Sequence, residues 1–169
     1  MRRKLTWLIL FTAVTAVTAF FYSESGWATP SKGFKTKTLA KGGLGAFSVF
    51  NHFVYPNGNW ASWEATTAPS DLYVQDNVWQ PGGTTGWHSH PGHSLIIVTA
   101  GTVTDYEGDD PTCTPHVYTQ GMAWVDAGGS HVHIVRNEGT VEASTIAAQL
   151  IPQGQQRRID AADPGNCRF

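Results

Sequence analysis

The chain has 169 residues, of which 41% are hydrophobic and 14% charged, and its formal net charge is −2. This length fits one domain with its own core, and the low charge argues against a disordered chain. No cluster of basic residues follows Lys4, so we predict no nucleic-acid partner, because phosphate binding needs grouped lysine and arginine side chains.

The first part of the chain has the order of a secretory signal peptide. Residues 2–4 are basic, residues 5–22 carry no charge, and the small residues Gly26 and Ala28 follow. We predict a signal peptide over residues 1–28, cleaved after Ala28, and hence a secreted, periplasmic or cell-envelope protein. The alternative is an uncleaved anchor helix, since a bilayer needs about 20 apolar residues. That anchor is the one membrane contact we expect.

Two cysteines, Cys113 and Cys167, remain after removal of residues 1–28. Two are too few for a disulfide-dense scaffold or a zinc site with four thiolates. In an oxidising compartment the two thiols pair by default. We therefore predict a disulfide that ties a C-terminal tail, residues 153–169, to the loop around Cys113. Metal binding by these thiols is the less favoured alternative.

The mature chain shows the pattern of an all-β protein. Residues 29–70 are ambiguous, although Leu44 to Tyr55 is rich in Phe and Val and Asn57-Gly58 predicts a turn. We expect this N-terminal segment to pack on the main domain, residues 71–152, where short β-like runs alternate with glycine- and proline-rich breaks. The predicted strands are Leu72–Trp79, Leu95–Ala100, Thr102–Tyr106, Met122–Val125, His131–Val135 and Glu142–Ile151. Many short strands at close spacing favour a sandwich or a barrel.

Two pairs of histidines carry the strongest chemical signal. His88 and His90 are separated by one residue, as are His131 and His133. In extended backbone such a pair projects from one face, about 6.5 to 7 Å apart. If both segments line one barrel, three or four imidazoles converge on a single point, a donor set suited to a divalent transition metal. The alternative is that these are surface or hydrogen-bonded core histidines.

The same segments resemble the two motifs of the cupin superfamily. Gly82, five residues, His88-x-His90 and then Ser94 to Gly101 follow the first motif. Gly121, five residues, Ala127-x-Gly129, His133 and Asn137 resemble the second. The resemblance covers about residues 71–152 and implies a small antiparallel jelly-roll barrel with a metal or ligand pocket in its mouth. It also implies that His88, His90 and His133 bind the metal, which would be Fe, Mn, Ni, Cu or Zn.

The chain departs from the family pattern at two points. Ser94 stands where the motif has a Glu ligand, so the fourth donor is expected to be water, a substrate atom or His93. One extra residue before His133 makes His131 a competing third ligand, but the distance to Asn137 favours His133. We therefore place His93, Ser94 and His131 as fourth ligands or as residues next to the ligands.

Other residues receive simpler interpretations. The tryptophans could form a binding cleft, but most are expected in the core: Trp60, Trp63, Trp79, Trp87 and Trp124. Four acidic residues are interpreted as a solvated turn before Cys113: Asp105, Glu107, Asp109 and Asp110.

The functional hypothesis is an exported single-domain cupin that binds a divalent transition metal. If it is an enzyme, it is a dioxygenase- or isomerase-like one acting on a small organic substrate. The alternatives are a non-catalytic metal- or ligand-binding barrel with a vestigial site, or a storage or structural barrel. A homodimer is compatible with the sequence, which does not demand one.

Overall fold

The computed structural model describes residues 28–169, so the predicted signal peptide lies outside the described residues except for Ala28. Over the described part the chain forms strands and no helix, and thus no helix that could cross a membrane. The strands are β1 (Lys32–Leu44), β2 (Phe47–Tyr55), β3 (Gly58–Thr66), β4 (Ser70–Thr84), β5 (His88–Ser89), β6 (Ser94–Ala100), β7 (Thr102–Glu107), β8 (His116–Thr119), β9 (Ala123–Asp126), β10 (His133–Arg136), β11 (Ala143–Pro152) and β12 (Ile159–Asp160).

Ten of these strands form one antiparallel sheet that curls into a barrel. Strand β4 is the centre, with β1 on one side and β11 on the other. Beyond β11 follow β6 and β9, while β10 joins β4 to β5 and β7. The prediction of an all-β, antiparallel barrel is confirmed. The strands predicted between residues 72 and 151 are all present, with ends that differ by a few residues.

The inward face of the barrel combines apolar packing with polar side chains. The main cluster of buried hydrophobic residues consists of Trp79, Val98, Val103, Trp124, Val135 and Ala143. Strand β11 alternates buried and half-buried positions, as expected for a strand with one face in a core. Its buried residues include Thr145 and Gln149. Part of the interior is therefore polar, and hydrogen bonding there replaces hydrophobic contact.

The segments on either side of the predicted domain extend the same sheet. In the N-terminal segment, β1 pairs with β4 from Lys32 to Leu44. In the tail, β12 pairs with β5, so that Asp160 lies opposite His88. The tail therefore contributes to the end of the barrel at which the histidines lie.

The predicted disulfide between Cys113 and Cys167 is confirmed, with the two Cα atoms 5.2 Å apart. Cys167 belongs to a second small core with Trp87, Tyr106 and Ile134. Because Cys167 lies in the tail, the tail is part of this core. Trp87 immediately precedes His88, so the disulfide and the tail pack against the strand that carries the first histidine pair.

Strands β2 and β3 form a separate two-stranded ribbon, called the ribbon below, with a two-residue turn at Pro56 and Asn57. The ribbon exposes large aromatic side chains: Trp60 is 54% and Trp63 75% exposed. The expectation of a core position is therefore wrong for these two residues. It holds for the other three tryptophans, which are buried: Trp79, Trp87 and Trp124.

Asn137 joins three segments near the histidine strands. Its Nδ2 donates to the carbonyl oxygens of Trp79, at 3.1 Å, and Val141, at 2.7 Å. Its Oδ1 accepts from the amide of Gly139 at 3.0 Å. The Asn137 side chain is fully buried. Its three hydrogen bonds therefore hold the end of β10 in place.

We expect Asn137→Ala to lower the free energy of unfolding by about 3 kcal/mol, because it leaves buried backbone groups without hydrogen-bond partners. Urea denaturation followed by tryptophan fluorescence measures the change. Asn137→Asp keeps the acceptor but turns a buried carboxylate oxygen towards two carbonyl oxygens, so it should destabilise the chain at least as much as Asn137→Ala. A loss below about 1 kcal/mol for Asn137→Ala would contradict this assignment.

Candidate metal centre

Three histidines meet at one end of the barrel. His88 and His133 are paired in register across β5 and β10, and His90 lies two residues beyond His88 on the same side. One ring nitrogen from each residue lies within 4.8 Å of the other two. The ring centroids are 4.5 Å apart for His88 and His133, and 4.8 Å apart for His88 and His90. The register of β5 and β10 therefore brings the histidines of both motifs together.

A hydrogen bond from Nδ1 orients each ring. His88 Nδ1 donates to the carbonyl oxygen of Gly86 at 2.9 Å, and His90 Nδ1 donates to the carbonyl oxygen of Arg157. His133 Nδ1 lies 3.1 Å from Asp105 Oδ1. Because carbonyl and carboxylate oxygens only accept, each Nδ1 carries the hydrogen and each Nε2 presents a lone pair. This is the arrangement in which a second hydrogen bond fixes a metal-binding histidine.

The electrostatics differ among the three rings. Burial lowers the pKa of His88 well below its ordinary value, and nearby positive charge on His133 and Arg158 adds to the effect. Burial also lowers the pKa of His90, against the opposing attraction of Asp126. Burial acts to lower the pKa of His133 as well, but the hydrogen bond and charge of Asp105 outweigh it and raise that pKa. Protonation is thus opposed at His88 and His90 and favoured at His133, where a metal ion on Nε2 would take the place of the second proton.

Asp105 corrects the interpretation of the acidic residues as a solvated turn. Asp105 lies on β7 and is buried. It stands two positions along the strand from Glu107, and Glu107 is paired with His133 on β10. Glu107 forms an ion pair with His131, with 2.7 Å between Glu107 Oε2 and His131 Nε2. Only Asp109 and Asp110 belong to the turn that follows. The sequence interpretation failed because the contact of Asp105 with His133 depends on pairing between distant strands.

The three further site residues named from the sequence occupy different places. His93 faces the ribbon, with its Nε2 3.6 Å from Glu64 Oε2. His131 binds Glu107 and lies at the edge of the cluster, 6.3 Å from His133 between ring centroids. Ser94 is buried and lines the cavity beside the histidines. Of the three, Ser94 alone faces the cavity.

A second carboxylate, which the sequence analysis did not single out, reaches the histidine cluster. Asp126 ends β9 and is 3% exposed. Its Oδ2 lies 3.4 Å from His90 Nε2 and 3.8 Å from His133 Nε2. Register could have revealed it, because Asp126 pairs directly with Ser94. That pairing is not visible in a linear motif.

Two glycines with left-handed backbone hold the loops around the site. Gly86 has φ of 69°, and a Cβ there would lie 2.1 Å from the carbonyl oxygen of Thr29. Gly128 has φ of 67°, and a Cβ there would lie 2.2 Å from the carbonyl oxygen of Gly92. Neither position accepts a side chain. Gly86 can therefore present its carbonyl to His88, and Gly128 can present its amide to Asp126.

A cavity of about 100 Å³ opens beside the histidines inside the barrel. This volume holds several water molecules or a small organic group, since one water needs about 10 to 15 Å³ on this measure. Its lining combines the three histidines with polar side chains and with two arginines of the tail: Gln75, Asn77, Ser94, Thr145, Gln149, Arg157 and Arg158. The cavity and the histidine cluster thus form one site.

The donor atoms fit a divalent transition metal. His133 Nε2 and Asp126 Oδ2 are both buried and have no hydrogen-bond partner among residues 28–169. Unpartnered polar atoms are costly in a protein interior, and a cation between them would satisfy both. Imidazole nitrogens together with a carboxylate oxygen suit zinc, iron, manganese, nickel or copper.

The described part of the chain is thus an antiparallel barrel with, at one end, a histidine cluster that could hold a metal ion. Residues 78–148 match a family model described as the cupin domain. This segment contains His88, His90 and His133 and the strands that carry them. Residues 78–148, which carry most strands of the barrel, therefore match the cupin domain that the two motifs predicted.

Three solved structures illustrate the similarity. An oxalate oxidase is 21% identical, with coverage of 53% of this chain and 46% of its own and a TM-score of 0.46. A cupin domain from Bordetella pertussis is 17% identical, with coverage of 63% and 93% and a TM-score of 0.41. Peruvianin-I, a cysteine peptidase from Thevetia peruviana latex, is 26% identical, with coverage of 54% and 56% and a TM-score of 0.44.

These similarities concern part of each molecule. The matched region spans less than half the length of the oxalate oxidase chains, 41% and 46% in two structures. Comparison with curated proteins finds no match. Because all three TM-scores lie below 0.5, the assignment as a cupin domain rests on the family model and on the barrel itself.

Proposed function

We propose that this cupin domain binds one divalent transition metal ion and presents it to a small organic ligand in the adjoining cavity. The ion would be held by Nε2 of His88, His90 and His133. The observation that carries the proposal is the convergence of three imidazoles, two buried and one half-buried, whose Nδ1 atoms are already bonded. Each Nε2 can therefore present a lone pair to one ion when the ring is neutral. A metal bound there supplies Lewis acidity to a ligand that coordinates it.

Metal content is the first test of this proposal. The full chain, purified without added chelator, should contain about one transition metal ion per polypeptide by elemental mass spectrometry. After stripping it should rebind one equivalent of Zn²⁺. A chain that neither contains nor rebinds a stoichiometric metal ion would refute the proposal.

The lining of the cavity indicates the ligand class. Arg157 and Arg158 line it from the tail, and no carboxylate is among the described residues that line it. Arg158 acts electrostatically on both His88 and His90, so its charge reaches the centre of the site. Arg158 Nε forms an ion pair with Asp160, which does not line the cavity. The remaining guanidinium donors of Arg158, together with Arg157, favour a small anionic ligand, such as a carboxylate.

We expect Arg158→Gln to weaken binding of a small carboxylate to the metal-loaded chain about tenfold or more, since it removes a charge-assisted interaction. Isothermal titration with a panel of small mono- and dicarboxylic acids measures the change. Arg168→Gln is the matched control, because Arg168 is exposed on the tail and does not line the cavity. Equal affinities for both variants, or preferred binding of uncharged analogues, would contradict the proposed ligand class.

A second candidate function is a metal- or ligand-binding barrel without turnover. The observation that favours it is that polar side chains of the interior already satisfy one another. Gln75 Nε2 donates to Gln149 Oε1 at 3.1 Å, and Asn77 Nδ2 donates to Thr145 Oγ1 at 3.3 Å. Oxygen consumption and product formation by the metal-loaded chain across the same acid panel separate the two functions. Tight binding without turnover identifies the binding module, and turnover identifies a dioxygenase- or isomerase-like enzyme.

The proposal includes export of the mature domain. The basic and apolar order of residues 1–28 supports it, and the disulfide between Cys113 and Cys167 suits an oxidising compartment. Intact-mass measurement of the protein from the envelope or medium should give a chain that begins at Thr29. A chain that retains residues 1–28 and fractionates with membranes identifies the anchor alternative.

A further inference from the structure

We infer that Asp126 supplies the fourth protein ligand, a carboxylate oxygen delivered from the strand next to the one on which the cupin pattern places a glutamate. This inference deepens the proposed metal binding and rests on it. It assigns a ligand at one of the five unspecified positions between Gly121 and Ala127 of the second motif. It also gives the buried Asp126 side chain a role that its hydrogen bonding within the protein does not account for.

The two carboxylate oxygens of Asp126 have different surroundings. Oδ1 accepts a hydrogen bond from the backbone amide of Gly128 at 3.0 Å. Gly128 is itself fixed by its left-handed backbone and its close approach to Gly92. Oδ2 is buried and has no hydrogen-bond partner in the described part of the chain. One oxygen therefore orients the carboxylate, and the other is available to a ligand.

The free oxygen faces the histidine nitrogens at coordination spacing. Asp126 Oδ2 lies 3.4 Å from His90 Nε2 and 3.8 Å from His133 Nε2. Donor atoms bound to one tetrahedral zinc ion at about 2.0 to 2.2 Å lie about 3.4 Å from each other. A cation among these three atoms would satisfy the two orphaned atoms, Asp126 Oδ2 and His133 Nε2, together.

Strand register explains how an aspartate on β9 reaches the place of a ligand on β6. Ser94 and Asp126 are directly opposed in the β6–β9 ladder, so their side chains project from the same face. Neighbouring strands lie about 4.8 Å apart, a distance that a side chain crosses easily. Ser94 itself carries no carboxylate, whereas Asp126 on the same face of the ladder reaches His90 and His133.

The competing explanation is that Asp126 only forms an ion pair with a protonated His90. In that case its removal affects the folded protein but not the coordination of the metal. The ligand role predicts a change in metal affinity and in the spectrum of the bound metal. It also predicts rescue when a carboxylate returns from Ser94, because the two positions share one space.

The test uses the full chain stripped of metal, with Zn²⁺ affinity measured by competition with a chromophoric chelator. We expect Asp126→Ala and Asp126→Asn to weaken Zn²⁺ binding at least about tenfold, the lower end of the loss seen when even an outer-shell partner is removed. Asp109→Asn is the matched control: it removes one exposed carboxylate from the turn after β7 and should leave the affinity unchanged. Ser94→Glu combined with Asp126→Ala should recover most of the loss.

Visible spectra of the Co²⁺-loaded chains provide a readout independent of affinity. Asp126→Ala should shift the ligand-field bands, and the double variant should move them back towards wild type. Wild-type binding of one Zn²⁺ with unchanged affinity and unchanged Co²⁺ bands in Asp126→Ala and Asp126→Asn overturns the inference but leaves the histidine site intact. Failure of the wild-type chain to bind Zn²⁺ overturns both the inference and the proposed function.

Discussion

Replacement of His88 and His90 together by glutamine should abolish stoichiometric metal binding, with affinity for Zn²⁺ reduced on the order of 100-fold or more. The variant removes two of the three Nε2 donors that converge within 4.8 Å. It leaves the donor at position 133 as the one imidazole of the cluster. Glutamine keeps much of the buried volume of His88, so the change tests coordination more than packing. Elemental analysis and chelator competition measure the loss.

The control for this variant is a second histidine pair on the surface. His52 on the ribbon and His116 on β8 are exposed and lie outside the cluster. His52→Gln combined with His116→Gln removes the same number of imidazoles and should leave metal content unchanged. Equal metal loss from both double variants, or retention of metal without His88 and His90, would contradict the assignment of the centre.

The second large effect concerns the disulfide. Cys113→Ser combined with Cys167→Ser should lower the free energy of unfolding by about 4 kcal/mol, because the bond closes a loop between residues 54 positions apart. Side-chain packing around the disulfide also indicates that loss of the bond destabilises the fold. Cys167 is buried with Trp87 and Tyr106, and the ring of Phe169 lies 4.9 Å from that of Tyr106 between centroids. Loss of the bond loosens this small core.

Urea denaturation followed by tryptophan fluorescence measures the effect, with the reduced wild-type chain as the matched control. Reduction should reproduce the stability of the double serine variant. The tail retains other attachments, since Asn166 Nδ2 donates to the carbonyl oxygens of Glu107 and Asp110. A loss below about 1 kcal/mol would show that these bonds and β12 hold the tail without the disulfide.

The strands and the first histidine pair were predictable because they depend on local periodicity, whereas the barrel and the choice of His133 depended on the resemblance to the cupin motifs. Alternation and glycine-rich breaks define strands without knowledge of their partners. The spacing of His88 and His90 places both rings on one face whatever the neighbouring strand is. The choice of His133 over His131 came from the distance to Asn137. The structure places His133 opposite His88 and turns His131 towards Glu107.

Asp105 and Asp126 could not be assigned to the site from the sequence, because their positions there depend on pairing between distant segments. Asp105 reaches His133 through the β7–β10 ladder, and Asp126 approaches the cluster through the β6–β9 ladder. Neither residue stands at a distinctive spacing from a histidine. Strand β1 escaped prediction for a related reason. Its residues are almost all exposed, so no buried face imposes an alternation, and pairing with β4 specifies it instead.

The ribbon has a consequence for how this chain can vary. Leu44 at the end of β1 is paired with Ser70 at the start of β4, so residues 45–69 are inserted where a short hairpin turn would suffice. Strands β2 and β3 pair with each other alone, and no hydrogen bond of the barrel sheet passes through them. The ribbon is thus a module. Its length and its exposed aromatic surface can therefore change without the loss of a hydrogen bond of the barrel sheet.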